Sequence, residues 1–126
     1  MLSWNPPKLT KTSSAIGYHA EHAPIVHNGA QLKSGGSIPP APWMTTTVDE
    51  LESPKIIVPE ISDSVIHQAF QEFVEDIAEK MQDNLRDRRW YHPRGTQRRN
   101  GQYIPPGLRD KVDTSELLNS QEVRHG

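Results

Sequence analysis

The chain contains no cysteine, which excludes disulfide bridges and thiolate metal sites outright. It has no apolar run near the roughly 20 residues needed to span a bilayer, and its opening MLSWNPPKLTK lacks the apolar stretch of a secretory leader. A soluble, cytoplasmic chain with no membrane partner is the expectation. Apolar residues are also scarce: they make up 33% of the sequence, against roughly 45–50% (glycine included) in an average globular domain. With 126 residues one core is the ceiling, and eleven prolines and eight glycines break the chain often. Much of it must be loop, arm or surface, and such segments are ordered most readily when a neighbouring subunit supplies the burial they lack.

The usual catalytic frames are missing as well. No G-x-S-x-G elbow, no G-x-x-x-x-G-K-[ST] phosphate loop and no H-E-x-x-H pair occurs. Carboxylates such as Glu72, Glu75 and Asp76 fall on the solvent side of a helix, where they serve solubility. The reading is therefore non-enzymatic, with no cofactor.

What the chain does have is segregated charge. The formal net charge is −2, yet acidic residues dominate from Glu50 to Asp83, whereas Arg86, Arg88, Arg89, Arg94, Arg98 and Arg99 crowd the stretch that follows. The stretch YHAEHAPIVHNGA gathers His19, Glu21, His22 and His27, all possible zinc ligands. Read as a strand, it sends His19 and Glu21 to one face and His22 to the other, so the ligands do not converge and no metal is expected. Asn28 and Gly29 then form the tight turn of a hairpin, since Asn-Gly favours positive φ, and Gln31 to Ile38 is the return strand or a loop. Thr47-Val48-Asp49-Glu50 has the form of a capping box that opens a short helix ending before Pro54.

The clearest element follows. Ile66, Phe70, Phe73, Ile77, Met81 and Leu85 recur at spacings of three and four, with Val65, Ala69, Val74 and Ala78 widening the stripe. Capped by Ser62 or Asp63, a helix of about 26 residues would extend roughly 39 Å. After it, RGTQRRNGQYIPPGLRDK reads as a long basic loop, and Asp113 caps a last helical turn with Glu116 facing back. The predicted organisation is a single domain: an arm over 1–14, strand, hairpin and short helix over 15–60, the long helix over 61–89, the basic loop over 90–112, and a capped turn and tail over 113–126. Arginines interleaved with Trp90, Tyr91 and Tyr103 suit a protein interface, a nucleic-acid contact through phosphates and stacked bases, or a plain solvated surface.

Two stretches together carry a family resemblance. IPPGLRDKVDTSELLNSQ resembles the proline, Asp-Thr-Gly, Leu, Ser signature of the small neck or tail-completion proteins of long-tailed bacteriophages, a group similar to the minor tail protein Z of phage lambda. YHAEHAPIVHNGAQLKSGGSIPPAPWM is similar to that family's strand leading to a proline-aromatic segment and short helix. The order of the halves is reversed relative to the family, as in a circular permutant or a subunit whose arm completes a neighbour's sheet. Joining Gly126 to Met1 would restore the family's order. Ser115 stands at the family's glycine, which implies a helix cap without positive φ.

The resemblance implies an α+β fold, a small mixed or antiparallel sheet packed against one long amphipathic helix, with extended proline-rich arms. It implies a virion protein at the head-tail junction, assembled in the host cytoplasm. Its partners would be copies of itself in a hexameric ring, other neck and tail proteins, and genomic DNA nearby. A nucleic-acid-binding accessory protein is the alternative. The candidate contact residues are Trp43 in the proline-aromatic segment, Arg88, Arg89, Trp90, Tyr91, Arg94, Arg98, Arg99 and Tyr103 in the basic stretch, and Asp113, Thr114 and Leu117 in the last turn. Removing the charge at Arg98 and Arg99 is expected to weaken assembly and leave the fold intact.

Overall fold

The long helix organises the molecule. In the computed structural model, which describes residues 9–33, 35–51, 60–98, 101–112 and 115–126, it is α3, Asp63–Arg86. Ser62 is its cap, accepting the Val65 N–H at 3.3 Å. Asp63 is used differently: its carboxylate accepts the backbone N–H of Thr10 at 2.6 Å and the Thr10 hydroxyl, tying the N-terminal arm across the helix start. These bonds, the backbone one foremost, hold the Asp63 carboxyl below its usual range.

Around α3 the chain runs β1 (Ser14–Tyr18), α1 (Ala23–Asn28), β2 (Ala30–Gln31), β3 (Ser37–Ile38) and α2 (Trp43–Asp49). After the long helix come β4 (Trp90–His92), β5 (Thr96–Gln97), β6 (Tyr103–Ile104), β7 (Gly107–Arg109), α4 (Glu116–Asn119) and β8 (Gln121–His125). The expected α+β class is found, with four two-stranded antiparallel sheets among the described residues. β1 pairs with β8 from Ser14↔His125 to Tyr18↔Gln121, so the first strand lies against the last.

The core is small. Trp43 and Leu85 are fully enclosed, and Ala20, Ala23, Ala41, Met81, Trp90 and Leu117 pack around them. Trp43 meets Tyr18 and His27 edge to face, with ring centroids 5.2 and 5.0 Å away. A polar brace crosses the same region: the Tyr18 hydroxyl donates to Gln82 at 2.7 Å, Gln121 donates to Tyr18 and to the Ala78 carbonyl, and Gln82 donates to the Leu118 carbonyl. Burial pushes the Tyr18 phenol up to about 12, opposed by its bond from Gln121.

Several local expectations are corrected. The residues after Ala20 leave the strand and form α1, because Pro24 falls in the first helical turn, where its fixed φ fits and its missing N–H costs nothing. Asn28 and Gly29 therefore end a helix and do not turn a hairpin. Gly29 has φ 76°, and a Cβ there would lie 2.7 Å from the Ile38 carbonyl oxygen. The hairpin exists one step later, between β2 and β3. α2 begins at Trp43, four residues before the expected cap, because the prolines set its entry, and the Thr47 hydroxyl donates back to the Trp43 carbonyl. Ser115 holds φ 66°, the left-handed conformation that had been expected to be absent. Ser115 precedes the first residue of α4 in that conformation, and its side chain makes no capping bond.

Candidate interaction surface

The basic stretch is a β-ribbon. β4 pairs with β7 and, nested beyond them, β5 pairs with β6. Period-two alternation sorts its residues: Trp90 and its partner Arg109 point inward, Tyr91 and its partner Leu108 outward. The inner pair is buried. The Trp90 indole N–H donates to the Asn84 carbonyl at 2.8 Å, fastening the ribbon to the end of α3.

Arg109 is 6% exposed, a charged side chain buried among the ribbon strands. Its guanidinium donates to the Thr96 hydroxyl and to the carbonyls of Arg94 and Pro105, at 2.9 and 3.0 Å for the carbonyls. Five donors in a planar fork let one residue satisfy carbonyls from both arms of a bent ribbon. Arg98 does the same at the base, donating to the Val112 carbonyl at 2.8 Å and pairing with Asp110 at 2.8 Å. Arg89 bonds Glu50 and the Asn84 side chain, both within this chain, and lies 5.4 Å from the Trp90 ring.

The candidate contacts thus divide. Trp43, Trp90 and Leu117, expected at an interface, are buried in the core of this chain, where a chain poor in large apolar groups spends them, with Leu117 also forming part of a cleft wall. Arg89 and Arg98 hold the fold. Arg99, Asp113 and Thr114 lie outside the described residues. What remains on the surface is one face of the ribbon: Tyr91 at 64% exposure, Leu108 at 64% and Tyr103 at 63%, flanked by exposed Arg88 and Arg94. Tyr103 crosses the ribbon over Gly95, where a Cβ would fall 1.9 Å from its hydroxyl oxygen, so glycine is the residue that admits the ring. Leu108 was not singled out from sequence; its strand register was the signal that could have found it.

The two halves of α3 differ in burial. Val74, Ala78, Met81 and Leu85 of its apolar stripe are buried and Ile77 partly so, but none of residues 63 to 73 is buried, and Ile66, Phe70 and Phe73 are partly covered. The histidines do not gather: His19 pairs with Glu122 on β8, and the His27 ring meets Trp43 edge to face. Among the described residues no group of three or more potential ligands could hold a metal ion. Burial, followed by the neighbouring Arg109 and Lys111 charges, pulls the His92 ring below the ordinary imidazole range.

Among the described residues no helix is long and apolar enough to cross a membrane. No protein-family model matches the chain, and no curated protein or solved structure is significantly similar to it.

Proposed function

We propose that this chain is a non-enzymatic assembly protein, a subunit of a ring at the head-tail junction of a tailed bacteriophage that completes or terminates the tail and joins it to the connector. The observation that carries the assembly part is α3: the buried part of its stripe begins at Val74, whereas in its first half no residue is buried and Phe70 and Phe73 keep part of their rings exposed. Such a face gains by burial against another subunit, at about 25 cal/mol per Å² of apolar surface. The two-stranded β1–β8 sheet supplies open edges of the kind that subunits use to pair.

The family part rests on the sequence resemblance, and two features support it. Ser115 takes the left-handed conformation that glycine would hold at the family's Asp-Thr-Gly turn. The Gly126 N–H donates to the Ser13 carbonyl at 2.9 Å, so the C-terminal residue lies beside the start of β1, a neighbourhood that a permuted order needs. Light scattering coupled to size-exclusion chromatography, over a wide concentration range, tests the assembly. A discrete multi-copy species is expected, and a monomer at every concentration would overturn self-assembly.

The outer ribbon face favours a second reading, a single-stranded nucleic-acid contact in which Tyr91 and Tyr103 stack on bases beside Arg88 and Arg94. Oligonucleotide binding that falls steeply with rising salt, and is lost in Tyr91→Ala, would establish it.

A further inference from the structure

Between the base of the ribbon and helices α1 and α4 lies a cleft of about 370 Å³ whose two ends differ in chemistry. One end is apolar, formed by Ile25 and Val26 of α1 and Leu117 and Leu118 of α4. The other is polar and formed by Arg98, Arg109, Asp110 and Lys111. Asp110 is committed to Arg98 by their ion pair and to the Val112 N–H, so that pair is closed. Arg109 has the Asp110 carboxylate nearby but no carboxylate bonded to it among the described residues: its guanidinium meets only a hydroxyl and carbonyls, and its Nε–H is buried without an acceptor. Lys111 is half-buried and its ammonium has no hydrogen-bond partner among the described residues, although its backbone is fixed by a bond to the Leu85 carbonyl. A buried cation without an anion is costly, and the cost falls when an anion enters.

We infer that this cleft is a binding site for a carboxylate carried on a short apolar chain, the carboxylate lying between Lys111 and Arg109 and the chain running along Ile25 and Leu118. A planar carboxylate has two oxygens for the donors on offer. A phosphate would bring further oxygens toward the apolar wall and a second negative charge toward Asp110. Burial, then the neighbouring Arg109 and Arg98 charges, draws the Lys111 ammonium below its usual range, and a bound carboxylate would reverse that direction. The chemistry is shared by a free small carboxylic acid and by the C-terminal residue of a peptide. The inference does not depend on the ring, so it can fail or succeed separately from the assembly reading.

The test is an NMR titration of the full chain, following the amides of Lys111 and Leu118. The probes are hexanoate, acetate, inorganic phosphate, and an acetylated peptide ending in Ala-Leu as free acid or amide. Saturable binding of hexanoate with a dissociation constant of about 1 mM, weakened about tenfold in Lys111→Gln, is expected. Binding of hexanoate alone identifies a free acid as the ligand source, and equal binding of the free-acid peptide identifies a chain terminus. Ile25→Ser should weaken hexanoate and leave acetate unchanged, which checks the apolar end without touching the cations. The inference is overturned if neither carboxylate probe saturates, if the peptide amide or phosphate binds as tightly as hexanoate, or if Lys111→Gln, folded by its spectrum, binds hexanoate like the parent chain.

Discussion

Tyr18 and Ser115 show how much single positions carry in a chain with so few apolar residues. The Tyr18 phenol sits in the brace between β1, α3 and β8, and burial raises it from 10.0 to about 12. For an acid whose folded pKa is raised, the stabilisation is complete below the unfolded value and is lost as pH rises through the folded one. Alkaline melts should therefore show stability draining away between about pH 10 and 12, and Tyr18→Phe should remove that component of the slope. Ser115 makes the opposite point, since a β-carbon at φ 66° costs roughly 1–2 kcal/mol that glycine avoids. Ser115→Gly is expected to raise stability in urea melts by up to about 1 kcal/mol, the gain being trimmed by glycine's larger unfolded-state entropy. Neither effect was legible in the residue types. The Asp-Thr-Ser stretch pointed to a cap geometry, and only the backbone angles at Ser115 show that the position is left-handed.

The ribbon, as an element, uses its arginines differently from what their density implies. Arg98 and Arg109 look like a charged surface in sequence, yet they bond carbonyls that a bent two-stranded ribbon leaves without cross-strand partners. Arg98→Gln should therefore cost about 1–3 kcal/mol and speed hydrogen exchange at the Val112 amide, because Asp110 loses its partner and the loop its clip. This replaces the expectation that neutralising Arg98 would leave the fold intact. The long helix was far more legible, its ends displaced by two and three residues, because a 3.6-residue period repeated over many turns is a redundant signal. The ribbon was not, since its strands are two or three residues long, too short for alternation to register.

Across the whole molecule the division of apolar surface sets the predictions. Leu85 is fully enclosed beside Trp43, and Leu85→Ala should destabilise the monomer by about 3 kcal/mol in a thermal or urea melt. The pair Phe70→Ser and Phe73→Ser should cost the monomer about 2 kcal/mol for each partly covered ring and, in addition, remove any multi-copy species in light scattering. If the substituted chain, folded by its melt, assembles like the parent, the first half of α3 is not the contact.

Composition and periodicity alone were enough to determine that the chain has one small core, one dominant amphipathic helix and no thiol chemistry, because those properties depend on residue counts and local spacing. They did not determine which aromatics are inside. Trp43 and Tyr91 are equally good anchors in sequence, and one is 1% exposed while the other is 64% exposed. That choice belongs to the tertiary structure: strand register and helix packing decide which side of the backbone meets the core, and contacts distant in sequence, β1 with β8 and β4 with β7, decide the register.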